Sequence, residues 1–370
     1  MVAQFKGGGL VLQVGIGITY ERMVLLTGLI ALAITILAGQ VSVTWTDFFQ
    51  SCIMTLVILI AVVGGIAVVG GIMEVHSTFA GSSAGVELGQ KMGLPEGRNL
   101  FTAPFASGKI FDVSAPFGEL SVMGLLGWFF AMGIGTFGLA HPLLKFFTLE
   151  EMDNRSHRKL IVAMGIMSFI LGLGVVWIGW GARTFYAAEF MKSPDLYVVK
   201  YLGNVFPAPL SGFVLAGILV AFITTITSMI MTVVSSMTRD VVTSIVPTIE
   251  DNKAMKLARI FTIVVSVVAI AIAIFRPPSW IYKAHYMIYS SAGFAFFIAG
   301  VLPIISDTWA QPKISNKYGA SICFIATTFS MIWLNLVVGW GIGPSMFVTF
   351  FVSIGTYLLG SAIGNSITSS

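Results

Sequence analysis

Residues 221–236, AFITTITSMIMTVVSS, place Thr224, Thr225, Thr227, Ser228, Thr232, Ser235 and Ser236 in a run otherwise too apolar for a water-facing surface. Wound as an α-helix at about 100° per residue, these hydroxyls fill an arc of roughly 180°. Phe222, Ile223, Ile226, Met229, Ile230, Val233 and Val234 take the opposite side. Unpaired hydroxyls are costly in hydrocarbon, so the polar arc is expected to face protein, a cavity or an ion. Hard cations take oxygen ligands, and clustered hydroxyls with one carboxylate would hold sodium. The competing reading is helix packing, in which Ser and Thr bond back to a carbonyl one turn earlier or bridge neighbouring helices.

The rest of the chain puts that helix in a membrane. Its 370 residues are 56% hydrophobic and only 10% charged, against about 25% charged in soluble domains. The mean hydropathy is +0.94. Apolar runs recur at about 22–39, 51–73, 120–139, 160–180, 208–234, 257–275, 286–306, 320–339 and 343–363, each near the ~20 residues that cross a bilayer. With a shorter opening segment, 2–18, they predict an all-α polytopic membrane protein of about ten transmembrane helices. Cys52 and Cys323 lie inside such runs and read as buried packing residues. The net charge of +4 comes from loop Lys and Arg, not from a basic stripe with interleaved aromatics, so no nucleic-acid partner is expected. No Ser/His/Asp set, HExxH or Walker loop is present, which argues against an enzyme and against an organic cofactor.

Charged loops are expected at 76–116, 145–159, 183–207, 238–256 and 307–317. Alternate loops share one side, and 145–159 with 239–259 each carry four Lys or Arg. The positive-inside rule makes that side cytoplasmic. The Gly-, Ser- and Pro-rich interval 76–116 is then extracellular, within one transmembrane domain spanning 1–370.

Asp47 lies in SVTWTDFFQ (42–50), where a long apolar span begins. An acidic residue at that depth is a functional candidate, although it also suits a helix amino terminus. With the hydroxyl arc it completes an oxygen cage of one negative charge. His141 precedes Pro142, which frees backbone groups in a transmembrane helix. It is a candidate for solute or proton handling, against an ordinary structural role. Tyr286 and Tyr289 in AHYMIYSS suit a cavity lining or an interfacial aromatic belt.

These motifs together resemble the sodium:solute symporter family, which includes proline, pantothenate, acetate and monocarboxylate permeases and the sodium/sugar cotransporters. VAQFKGGG (2–9) is similar to its AQxxGG segment and SVTWTDFFQ to its WTDxxQ motif. GTFGLAHPLLKFFT (135–148) is similar to GxxGxPHxxxRF. TTITSMIMTVVSSMTRDVV (224–242) resembles the family's ion helix ending in Asp240, and NKYGA (316–320) follows the last core span as KGA does in relatives. The resemblance implies a five-plus-five inverted-repeat fold of the LeuT type, with sodium between the repeats driving uptake by alternating access. It assigns Thr224, Thr225 and the Ala221 carbonyl to the widespread sodium site. Asp47, Thr224, Thr227 and Ser228 match a second sodium site found in some members.

Two departures bear on the solute. Ala140 stands where the family often has Pro, and Thr136 where proline carriers tend to have Tyr, as in acetate and monocarboxylate permeases. The expectation is sodium-coupled symport of a small monocarboxylate or amino acid at the plasma membrane, with Thr136, His141, Tyr286 and Tyr289 as solute candidates. The rivals are a non-transporting sensor or partner subunit of the same fold, and a proton-coupled carrier using His141. The resemblance also implies about three helices preceding VAQFKGGG, and Met1 runs straight into that segment without a leader. The chain alone is therefore expected not to transport, being a truncated product, a mis-called start or one half of a split carrier whose other polypeptide supplies those helices. Reading the DNA upstream checks this: a helix-coding frame is the expected result, and its absence together with robust uptake by the isolated chain counts against it.

Overall fold

The computed structural model describes residues 1–69, 77, 83, 86, 87, 90, 121–136, 138, 139, 153–185, 196–275, 286, 287, 290–301 and 316–368, without the side chains of 38–47, 154, 157, 161, 180, 183–185 and 368. The described residues form helices α1 (Val2–Ile16), α2 (Tyr20–Val69), α3 (Val122–Phe130, extended by a π segment Ala131–Gly135) and α4 (Asn154–Phe185). There follow α5 (Tyr197–Asn204), α6 (Ala208–Ser236), α7 (Asp251–Ile274), α8 (Ser290–Val301), α9 (Lys317–Ile332) and α10 (Ile342–Thr368). Among the described residues, seven helical segments are long and apolar enough to cross a membrane, and Val122–Gly135 and Ser290–Val301 are shorter apolar helices. Each expected span coincides with one of these or with α1.

The chain divides into two compact units, Met1–Phe101 with Glu150–Pro277 and Thr102–Leu149 with Pro278–Ser370. In the first, α1 is made thin by three consecutive glycines. A side chain at Gly7 would strike the Phe222 ring, at Gly8 the Thr27 side chain, and at Gly9 Val24. Backbone-to-side-chain contact of this kind is what holds helices together in lipid, where burial brings little hydrophobic gain. Gly17, at φ 78°, then stops α1 in the left-handed conformation and donates its N–H to Gln13 O at 2.9 Å.

Although α2 is helical from Tyr20 to Val69, it contains two candidate spans, Tyr20–Leu37 and Phe48–Ala67. On a straight helix Val24 and Val57 would stand roughly 50 Å apart. Yet Val24 packs at Gly9, while Val57 shares a core cluster with Val11 and presses on Gly217. Both halves thus return to α1, as two spans do. The second span runs antiparallel to α6, with Gly64 meeting Phe206 and Val57 meeting Gly217. It runs parallel to α4, with Ile58 against Gly174 and Gly65 against Trp177. The start of α4 and the end of α6 therefore lie at one end of this unit, which puts the basic residues near 155–159 with those of 239–259, as the loop pattern expected.

Three expectations change. The loop 183–207 contains α5, whose Tyr197, Tyr201 and Leu202 are buried, because its apolar residues sit three and four apart and form one inward stripe. The loop 238–256 shrinks to a few residues, since a π segment Met237–Val242 carries α6 on to Ile245. Cys323 is buried as expected, but Cys52 is exposed. It shares with Phe48, Phe49, Ile53 and Leu56 a span that turns most of its surface outward, where lipid rather than protein solvates apolar groups. Most of 76–116 lies outside the described residues; Ser77, Ser83, Val86, Glu87 and Gln90 are helical.

In the second unit the NKYGA motif is a helix clasp. Asn316 Oδ1 accepts the Gly319 N–H at 3.0 Å, while its Nδ2 donates to Ser361 O at 2.7 Å and to Asn365 Oδ1 at 2.8 Å. Gly319 lies against Ser361 and the Tyr357 carbonyl of α10, so no side chain fits there. Asn316→Ala removes both the cap and the cross-helix bonds, and a loss of about 1–2 kcal/mol is expected. Thermal unfolding in detergent measures it, and an unchanged midpoint would refute the clasp.

Candidate functional site

The expected two-sidedness of α6 is present. Ile223, Ile226, Ile230 and Val234 are buried with Phe5, Tyr20, Val24 and Ala31, and with Ala269, Ile270 and Ala273 of α7. On the polar side Thr227 and Ser228 are buried at 2% and 7% exposure, and Thr224, Thr225, Thr232 and Ser235 are half-buried. Only Ser236, at the helix end, is exposed. The hydroxyl arc is covered by protein at Thr227 and Ser228 and only partly covered elsewhere, less than the apolar arc.

Most of these hydroxyls donate to their own helix. Thr225 Oγ1 donates to Ala221 O at 2.9 Å, Thr227 to Thr224 O at 2.9 Å and Thr232 to Ser228 O at 2.9 Å. Such back-bonding satisfies the proton without occupying the oxygen, which keeps its lone pairs for a further partner. The packing and ion readings of the sequence are thus compatible at the same atoms. Two oxygens 2.9 Å apart, as in Thr225 and Ala221, can both stand about 2.4 Å from one hard cation, by extension from calcium geometry.

At Thr224 the arrangement is different. Its Oγ1 donates to Val220 O at 2.7 Å and also meets Gln50 Oε1 across the α2–α6 interface. The Thr224 hydroxyl thus spends its proton on its own helix and lies against the Gln50 side-chain amide, which offers either an acceptor oxygen or a donor N–H to it. Gln50 was not among the residues singled out from the sequence, although it closes the WTDxxQ motif. Its signal was the spacing: it stands three residues after Asp47, and positions three apart are neighbours on a helix surface. The Asp47 backbone belongs to α2, and its side chain lies outside the described residues.

Beyond the arc, Ser236 Oγ donates to Asp240 Oδ2 at 2.5 Å. This pairs the last hydroxyl of the 221–236 run with Asp240 inside the π segment. Asp240 therefore has a structural partner at the helix end, more than three turns beyond Thr227 and Ser228.

The solute candidates fall in the second unit. Thr136 ends the π segment of α3, half-buried, and donates to Met132 O at 2.6 Å. Tyr286 packs edge-on against Trp128, ring centroids 5.1 Å apart, beside the cluster of Ala131, Met287, Phe294, Met331 and Met346. His141 and Tyr289 lie outside the described residues. Among the described residues no three His, Cys, Asp or Glu side chains converge. The oxygen donors at α6 are hydroxyls, backbone carbonyls and one amide, a set suited to a hard monovalent cation.

The described residues form a polytopic bundle of apolar helices with the dimensions of membrane spans. The family model of the sodium:solute symporter family matches residues 1–326, and the chain belongs to that family. It is a multi-pass plasma-membrane transport protein, not an enzyme. The high-affinity proline transporter PutP of Bacillus subtilis (strain 168) is 25% identical over 369 residues, covering 96% of this chain and 70% of that protein. A sodium/proline symporter of Staphylococcus aureus is 28% identical over 280 residues, covering 73% of this chain and 48% of that protein. The chain thus spans about half the length of the staphylococcal relatives. Among solved structures, a Na+-coupled sialic acid symporter in a substrate-bound outward-open state aligns with 98% of this chain and 75% of its own, at TM-score 0.64 and 15% identity. The fold is shared.

The contact between Gln50 and Thr224 makes them energetically coupled. Gln50→Leu and Thr224→Val are expected to be non-additive by about 0.5–3 kcal/mol in a double-mutant cycle, read as thermal stability with and without sodium. Strict additivity would show that the two side chains do not share a site.

Proposed function

We propose that the oxygen face of α6, with Gln50 and Asp47 of α2, is the sodium site of a sodium-coupled symporter that moves a small organic solute by alternating access. The ligands proposed are Thr224, Thr225, Thr227, Ser228, Asp47 and the Ala221 carbonyl, with Gln50 added from the geometry. The observation that carries this is the direction of the hydroxyl protons. They are held by carbonyls of the same helix, leaving oxygen lone pairs for a cation at a half-buried interface.

Sodium bound there would tie α6 to the second span of α2 and favour whichever carrier state keeps those helices together. A ligand shifts a conformational equilibrium only by its difference in affinity between states. The sodium gradient then biases solute binding through that linkage. The solute proposed is a small carboxylate-bearing molecule. Two relatives are proline transporters, and the GTFGLAH segment is similar to that of monocarboxylate permeases; the carboxylate is common to both. Thr136, His141, Tyr286 and Tyr289 remain its proposed contacts.

Thr225→Ala removes one ligand oxygen, and Thr225→Ser keeps it. The Ala variant is expected to need about tenfold more sodium for half-maximal effect, the scale of one lost bond to a charged group. The Ser variant should stay close to the parent. Sodium-induced thermal stabilisation, against potassium at equal ionic strength, reads the binding step directly, and sodium-dependent uptake of proline and short monocarboxylates reads the coupled one. Equal sodium responses in parent and Ala variant would remove Thr225 from the site.

A further inference from the structure

Lys6 carries a charge inside α1 that the sodium site does not use. It lies between Phe5, which is fully buried, and Gly7, and is itself half-buried. Gly9 meets Val24 and Gly8 meets Thr27, so Lys6 falls near the middle of the candidate span Tyr20–Leu37. An ionisable side chain at that depth marks a functional group by default, because its charge must be answered away from water.

Helical register gives its direction. At about 100° per residue, Gly7 faces Phe222 of α6 and Gly8 faces the first span of α2, which turns Lys6 to the flank nearly opposite Gly8. Gln13, also half-buried, falls about 20° from Lys6, so this flank is polar over two turns. On α6, Thr225 opens between Phe222, which meets α1, and Thr224, which meets Gln50, and is nearly opposite the buried Ile223. Gly7 at Phe222 and Gly15 at Leu215 make the two helices antiparallel, and Lys6 then stands about 3 Å of rise from the level of Thr225. Lys6 and the Thr225 oxygen thus share the side of this unit turned away from the Ile226 and Ile230 core.

Acids near this level are few. Neither α1 nor α6 carries one, and Glu21 and Asp251 stand in the first turns of α2 and α7. Asp47 alone comes close in sequence, three residues before Gln50. With no ligand, Lys6 and Asp47 leave the level neutral. Sodium on the Asp47 side leaves the Lys6 charge uncancelled, and a carboxylate alone leaves that of Asp47. Net charge in an apolar medium is costly, so sodium and a carboxylate are favoured as a pair over either alone.

We propose that Lys6 takes the carboxylate of the solute and thereby couples it to sodium, an inference that rests on the sodium site proposed above. The coupling needs no movement: each ligand removes the charge that penalises the other. Gln13 extends the same polar flank.

Thermal unfolding of the purified full chain in detergent tests this, titrated with sodium at constant ionic strength, alone and with proline, propionate or their amides. In the parent, one of the carboxylates is expected to lower the sodium needed for half-maximal stabilisation by about fivefold or more, the lower end of ordinary coupling. Its amide should not. K6Q should need less sodium than the parent without solute and should lose the carboxylate effect, while K6R keeps both parental responses. Midpoints without ligand report whether each variant is folded. In a sodium-responsive parent, an effect matched by the amides, absent with both carboxylates, or surviving in K6Q overturns the role of Lys6 and leaves the sodium site standing. No sodium response in the parent strikes the sodium site, and the coupling with it.

Discussion

Hydrocarbon offers no hydrogen bonds, so every polar group inside the membrane must be answered by the protein or by what the protein binds. Thr224, Thr225, Thr227 and Thr232 of α6 answer this with their protons turned back to carbonyls of the same helix. What remains outward is oxygen without hydrogen, an electron-rich surface held half-buried against α2. Gln50 meets Thr224 on that surface through its side-chain amide. The arrangement is stable as packing and, with the same atoms, competent for a hard cation.

The rest of the first unit serves this interface by keeping backbones close. Gly7, Gly8 and Gly9 thin α1 so that Phe222, Thr27 and Val24 can press on it. Val57 fits at Gly217 on the flank of α6 away from Ile226 and Ile230. In a bilayer such contacts matter more than apolar area, because lipid competes equally for apolar side chains. The second unit follows the same rule, with Gly319 against α10 and Asn316 bonding across to it.

The span count and the two-sidedness of α6 were legible in the sequence because both are local periodicities. The candidate ion ligands were legible for the same reason, since Thr224, Thr225, Thr227 and Ser228 lie on one helix. Gln50 was less visible: its importance arises from meeting a residue far along the chain, and only the WTDxxQ spacing hinted at it. Cys52 was misjudged because apolar surroundings in a membrane sequence do not separate lipid-facing from core-facing positions. The short helix α5 was missed because its stripe is only two turns long and sits among polar loop residues.

By itself the sequence determined that this is a polytopic helical membrane protein of the sodium:solute symporter family with an oxygen-bearing helix. Composition and 3.6-residue periodicity are properties of the chain alone. Only the tertiary structure decided that Thr227 and Ser228 of the hydroxyl arc are buried and that the Gln50 amide of α2 meets Thr224. Those depend on which helix faces which, and the packing of glycine-thinned backbones fixes that at close range, where no local pattern reaches.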